Sequence, residues 1–167
     1  MAPQTPVTIL LIDDEPGFVS ALARILRHDG HTVDTAADGH AALTHLQAQR
    51  YDVVLCDLRM PALDGAAFYD LLCQQHAYLR QRVIFLTGDT LGAASTAFLE
   101  QCGQPWVYKP CTAAAIRRAL QQILRAGAPP GVGARGEGAA DTGEPLPKEG
   151  TLRIGRRVTE LGRLHTS

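Results

Sequence analysis

Three stretches of this chain are apolar at almost every position: VTILLI at residues 7–12, DVVLC at 52–56 and RVIFLT at 82–87. A strand with one wet face alternates apolar and polar residues. A near-continuous apolar run therefore implies a strand covered on both faces, the condition of central strands in a parallel sheet. Two further strands are expected at TVDTAA (32–37) and PWVY (105–108). Helical spacing fills the gaps between them. Phe18, Leu22, Ile25 and Leu26 make one stripe, and Ala41, Ala42, Leu46 and Ala48 a weaker one. Phe68, Leu71 and Leu72 form a third, Ala94, Ala97 and Phe98 a fourth, and Ile116, Leu120, Ile123 and Leu124 the last. Asp-Gly pairs at 29–30 and 38–39 read as turns. Five βα units in succession predict an α/β fold: a doubly wound, five-stranded parallel sheet with right-handed crossovers and strand order 2-1-3-4-5.

With 167 residues, the chain exceeds such a domain by roughly 40. The expected organisation is a folded domain over 1–126, a linker over 127–150 and a short basic C-terminal tail over 151–167. The linker, GAPPGVGARGEGAADTGEPLPKEG, is dominated by Gly, Pro, Ala and charge, and is expected to be disordered because it buries too little apolar surface. The tail sets Arg153, Arg156, Arg157 and Arg163 against Glu160; a solvated tail and a small amphipathic element both fit it. It is too short for an output domain. A net charge of −1 gives no support for a polyanion-binding surface. Cys56, Cys73, Cys102 and Cys111 show no CxxC pair and no metal spacing, and are expected to be reduced thiols in or near the core of a cytosolic chain. No apolar run approaches the ~20 residues that span a bilayer. The N-terminus lacks a charged leader, so a soluble, cytoplasmic protein with no membrane partner is expected.

In an open parallel sheet, ligands bind beyond the carboxyl ends of the strands, where the strand order reverses. Strand 1 ends in Asp13-Asp14-Glu15, strand 3 in Asp57, strand 4 in Thr87 and strand 5 in Tyr108-Lys109-Pro110. Carboxylates so gathered repel, and protonation or a cation resolves the repulsion. A hard divalent cation is the better candidate, and carboxylate oxygens with retained waters suit magnesium. Lys109 adds a compact positive charge and Thr87 a hydroxyl donor. An aspartate beside a metal, a lysine and a hydroxyl is equipped to form an acyl phosphate. Plainer explanations exist singly. Asp14 before Glu15-Pro16 reads as a helix N-cap, Asp57 as the start of a turn, and Lys109-Pro110 as a surface turn. Taken jointly they require four strand ends to present this chemistry by accident.

LLIDDEP, VVLCDLRMPALDG, VIFLTGDT and WVYKP, in this order and spacing, resemble the receiver domain of bacterial two-component response regulators over residues 7–125. The resemblance implies a flavodoxin-like (βα)₅ fold and a signalling switch that catalyses only its own phosphorylation and dephosphorylation. It implies that Asp57 is the phosphoacceptor, that Asp14 holds magnesium directly and Asp13 mainly through water, and that the Arg59 backbone carbonyl completes the metal shell. Thr87 then matches the switch hydroxyl and Lys109 the countercharge, with a Lys109-Pro110 bond that is often cis. Trp106 stands where an aromatic switch residue is usually Tyr or Phe, and Cys111 where Phe is common.

The implied partner is a sensor histidine kinase or a phosphotransfer protein, with the helix 4–strand 5–helix 5 face as the switched surface. A self-pairing surface for a homodimer is expected from Ala93, Ala94, Ala97 and Phe98 with Ala115, Ala119 and Gln122. Arg59 and Asp89, two residues after Asp57 and Thr87, are expected to pair over the pocket and tune the lifetime of the acyl phosphate. Other classes fit less well. A transcription regulator remnant with a DNA-contacting tail has four arginines but no room for a helix-turn-helix. A haloacid-dehalogenase-type phosphohydrolase needs an acid at the position of Arg59. An inactive pseudo-receiver lacks a missing group to explain it. Similarity also extends to receivers of hybrid histidine kinases, so a fragment of one is a further alternative. A start six residues before strand 1 is read as leaving no large preceding segment.

Overall fold

The protein is described by a computed structural model covering residues 5–88 and 91–126. Five strands, β1 (Thr8–Ile12), β2 (Thr32–Ala36), β3 (Val53–Asp57), β4 (Val83–Thr87) and β5 (Trp106–Tyr108), alternate with five helices. These are α1 (Pro16–His28), α2 (Gly39–Ala48), α3 (Gly65–Gln75), α4 (Ala93–Cys102) and α5 (Ala113–Ala126), with a single 3₁₀ turn at Ala77–Leu79. The sheet is wholly parallel in the expected order β2-β1-β3-β4-β5. The domain boundaries expected at 126 and 150 fall at or beyond the edge of the described residues.

The pleat divides the core into two layers, because successive strand residues face opposite sides. Ile9, Leu11, Val53, Leu55, Ile84, Leu86 and Val107 pack against α1 and α5. Leu10, Ile12, Val54, Cys56, Phe85 and Trp106 pack against α2, α3 and α4. All five residues of β3 and of β4 are buried, which explains their unbroken apolar runs.

The helix stripes hold in part. Leu22, Leu26, Ala42, Leu46, Phe68, Leu72, Ile116, Leu120 and Ile123 are buried as their spacing predicts. Ala48 is exposed, and in α4 the expected stripe holds only at Phe98, half-buried against Tyr69 and Phe85; Ala94 and Ala97 face water, while Leu99 is the helix's one buried residue. Alanine is apolar enough to enter a stripe and small enough to be left outside it. The self-pairing surface is corrected too. Ala115 and Ala119 lie in the core under α5, unavailable to a second molecule. Of the two Asp-Gly turns, Asp29-Gly30 stands, with Gly30 at φ 95° closing α1. Asp38-Gly39 instead opens α2: the Asp38 side chain accepts from the Ala41 N–H at 2.8 Å, and a Cβ on Gly39 would strike the Leu63 side chain.

One glycine sets the end of β3. Gly65 begins α3 and donates its N–H to the Leu58 carbonyl at 3.0 Å. A Cβ there would lie 2.7 Å from the Asp57 carbonyl oxygen and 2.8 Å from Leu58 Cα. Both obstacles are backbone, so neither can swing aside. Gly17, in the first turn of α1, has open space around it. Gly65→Ala should therefore lose about 1–3 kcal/mol of stability through overpacking. Gly17→Ala should be neutral or gain up to about 1 kcal/mol from helix propensity. Urea denaturation of the two variants beside the wild type checks this, and equal midpoints would refute the close approach at Gly65.

Candidate functional site: an acidic pocket at the carboxyl edge of the sheet

Strand parity brings the site together. Asp13 extends the Ile9–Leu11 face of β1 and Asp57 extends the Val53–Leu55 face of β3, while Lys109 follows Val107 by two. All three side chains therefore leave the sheet on the side of α1 and α5. Backbone bonds level the strand ends: the Lys109 N–H donates to the Thr87 carbonyl at 2.6 Å, and Leu58 N–H to Leu86 at 2.9 Å. The Lys109-Pro110 bond is cis, as the resemblance implied.

Lys109 is the hub. Its Nζ lies 2.5 Å from Asp13 Oδ2 and 3.4 Å from both Asp57 Oδ2 and Glu15 Oε1. Carboxylate oxygens of Asp13, Asp14 and Asp57 all lie within 4.8 Å of one another. Asp13 and Asp57 are buried and Asp14 is exposed at the mouth. Asp14 is not the helix cap that its position before Glu15-Pro16 allowed. Glu15 occupies the N-cap without a side-chain bond, Pro16 starts the helix, and Asp13 Oδ1 accepts the Glu15 N–H at 3.0 Å. Asp14 is thereby left facing the pocket mouth. Three carboxylates so close, in a buried setting, form a donor set that fits a hard divalent cation.

Two forces contend at Asp57. Burial and the nearby Asp13 raise its pKa from 3.8 to about 6, against the lowering effects of Lys109 and of the Arg59 N–H, which donates to Oδ1 at 3.2 Å. Burial alone pulls the Lys109 ammonium down, but Asp13, Asp57 and Glu15 outweigh it and hold its pKa above the ordinary value. The crevice is thus anionic even with its lysine.

Thr87 ends β4 buried, with Oγ1 3.4 Å from the Gly88 carbonyl. Trp106 is buried in the other layer beside Phe85 and Leu99, and its Nε1 finds no acceptor among the described residues. The indole expected to move between two positions is here in the inward one. Arg59 is exposed; Asp89 and the expected Arg59–Asp89 pair lie outside the described residues. No helix among the described residues is long and apolar enough to cross a membrane. All four cysteines are free; Cys56 is buried and the other three half-buried, in line with the reduced thiols expected.

The sequence reading missed Glu15 as a Lys109 partner and Phe18 as its neighbour, at 4.6 Å from Nζ to the ring centroid. Glu15 is the N-cap of α1 and Phe18 lies in its first turn, where the signal available was position alone. A groove of about 840 Å³, lined by Arg80, Gln104, Gln122 and Arg125 among others, opens at the opposite end of the sheet and shares no residue with this pocket.

A doubly wound sheet carrying an acidic pocket with one lysine at its carboxyl edge defines a receiver-type signalling module. The comparisons agree: residues 9–121 match the response regulator receiver domain, and the chain belongs to that family, a component of two-component systems. It is 32% identical over 121 residues to the transcriptional regulatory protein TcrA of Mycobacterium tuberculosis, covering 72% of this chain and 47% of TcrA. It is 33% identical over 122 residues to the positive alginate biosynthesis regulatory protein of Pseudomonas aeruginosa, covering 71% of this chain and 48% of that one. The chain thus spans about half the length of these relatives. Among solved structures, the chemotaxis response regulator CheY4 of Vibrio cholerae superposes with TM-score 0.63 at 26% identity, over 71% of this chain and 99% of CheY4. The signal receiver domain of a histidine kinase from Syntrophus aciditrophicus gives 0.64 at 27% identity, over 72% and 91%.

The raised pKa of Asp57 has a consequence for stability. Between pH 3.8 and about 6 the unfolded carboxylate ionises while the folded one resists. The fold therefore loses stability as pH rises through that window, by up to about 3 kcal/mol at 1.36 kcal/mol per pKa unit. Asp57→Asn, with chelator present, should be more stable than wild type at pH 7 and lose that advantage as pH falls toward 4. Denaturation midpoints at several pH values measure this; a gap that does not vary with pH would show that Asp57 carries no such strain.

Proposed function

We propose that the protein is a phosphoacceptor response regulator in which Asp57 receives a phosphoryl group from a sensor histidine kinase or a phosphotransfer protein. The observation that carries this reading is the placement of one buried carboxylate, Asp57, against an ammonium 3.4 Å away and two further carboxylates. Asp57 Oδ attacks phosphorus in line, and the donor's P–N bond breaks. The electron pair leaves with the donor imidazole, and the phosphoryl group remains as an acyl phosphate. Lys109 supplies a positive charge to the phosphoryl oxygens. Asp13, Asp14, Asp57 and the Arg59 backbone carbonyl would hold magnesium. When bound, magnesium supplies charge neutralisation to the pocket and to the phosphoryl oxygens. Arg59 and Asp89, two residues after Asp57 and Thr87 in the chain, would tune the lifetime of the product.

The output follows from the same chemistry. A dianionic group beside the end of β4 offers Thr87 Oγ1 a far stronger acceptor than the Gly88 carbonyl, and Thr87 moves toward it. Space near Thr87 then biases Trp106 and α4. The α4–β5–α5 face presented to a partner, or to a second copy, changes as a population shift. The module is a switch located in the cytoplasm, where its donor kinase domain would reside. The relatives titled transcriptional regulators match over the receiver portion of this chain, so a direct role at DNA is not part of this reading.

Intact mass and Trp106 fluorescence, followed after adding magnesium and acetyl phosphate, test the proposal. One added phosphoryl group with a fluorescence change, both absent in Asp57→Asn, is the expected result. A mass unchanged under these conditions and no response to beryllofluoride would sink it.

A further inference from the structure

One neighbour of Lys109 is an aromatic ring without charge. Three carboxylates surround the ammonium, and the ring of Phe18 lies under it at 4.6 Å from Nζ to the centroid. Phe18 sits in the first turn of α1, where the deep positions of the helix are taken by Leu22, Ala23 and Leu26. It is only half-buried, packed at the margin of the core with Val19 and Cys111. An aromatic ring that packs at the edge of the core and also turns its face toward an ammonium is placed to serve the cation as well as the packing.

The pocket gives that ring a task. The Lys109 side chain is 12% exposed, and its outermost carboxylate partner, Glu15, is 65% exposed. Ammonium groups are strongly hydrated and their four-carbon stems rotate freely. Unless something holds Nζ inward, the Glu15 side offers a route to water. Carboxylates fix an ammonium at particular oxygens, and Asp13 does so at 2.5 Å. An aromatic face attracts a cation over its whole area, through the ring quadrupole, without binding it to one point.

We propose that Phe18 is a positioning residue for phosphoryl transfer: its ring holds the Lys109 ammonium inside the pocket while letting it slide from Asp13 and Asp57 to the incoming phosphoryl oxygens. The role rests on the phosphoacceptor reading of Asp57. Phe18 makes no bond to phosphorus and donates nothing to it. It sets where the countercharge stands when the oxygens arrive.

Two measurements on the full chain separate this role from packing. Lysine occurs only at 109 and 148, so heavy-carbon labelling at lysine Cε, with Lys148→Arg, isolates the Lys109 signal. Its protons should lie upfield through the Phe18 ring current and shift back in Phe18→Leu. The rate of phosphorylation by acetyl phosphate is then read for Phe18→Leu and for mono-, di- and trifluorinated phenylalanine at position 18. These rings keep nearly the same shape while their faces lose negative potential. The rate should fall stepwise with fluorination, and about twofold to fivefold in the leucine variant, the size of a partly exposed cation–π contact. Equal rates across the fluorinated series overturn the proposal, as does a Lys109 signal unmoved in Phe18→Leu. A wild-type protein that gains no phosphoryl mass overturns the phosphoacceptor reading itself, and this role with it.

Discussion

One ammonium stands within 3.4 Å of three carboxylates at the carboxyl edge of the sheet, and the rest of the site is arranged by that imbalance. Lys109 partly offsets the charge of Asp13, Asp57 and Glu15, and Asp14 adds a fourth carboxylate at the mouth. Burial first, and the shortfall with it, keep Asp57 hard to ionise. The shortfall also makes the pocket receptive to further positive charge and to a group that brings its own cation. A fully neutralised pocket would be more stable and less able to take part in chemistry.

The sheet makes the imbalance unavoidable. Parallel strands point all their carboxyl ends the same way, and the pleat decides which residues share a side. With Ile9 and Leu11 committed to the α1–α5 layer, Asp13 follows them; with Val53 and Leu55 committed there, Asp57 does too. Hydrophobic burial in the middle of the strands thus fixes the meeting of like charges at their ends. The close seat of Gly65 on the Asp57 carbonyl holds that end of β3 in place from the other side.

This division explains what could be read from the sequence. Strand order, helix order and the convergence of Asp13, Asp14, Asp57 and Lys109 follow from patterns that sterics and burial enforce along the chain. Phe18 was not legible as a pocket residue, nor was Glu15, named at the end of strand 1, legible as a partner of Lys109. Their roles depend on where the first turn of α1 sits relative to β5, a relation spanning some ninety residues that has no local pattern. The α4 stripe held at Phe98 and missed at its alanines for a different reason. Alanine carries too little apolar surface to say which way a helix faces, so Leu99, and not the alanines, sets its orientation. Asp38-Gly39 misread because the same dipeptide serves a turn or a helix entry, and only the accepted Ala41 N–H distinguishes them.

The anchorage of α4 bears on how readily that helix moves. The helices α1, α2, α3 and α5 each bury three or more residues, whereas α4 buries Leu99 fully and adds only the half-buried Phe98 against Tyr69 and Phe85. Full burial of one leucine is worth about 2 kcal/mol. That is the scale of the free energy by which one local ionic contact can bias a two-state element. A rigidly fastened helix would absorb such an event without moving. A helix held by one buried leucine and one half-buried ring costs less to shift on the sheet than its more deeply seated counterparts.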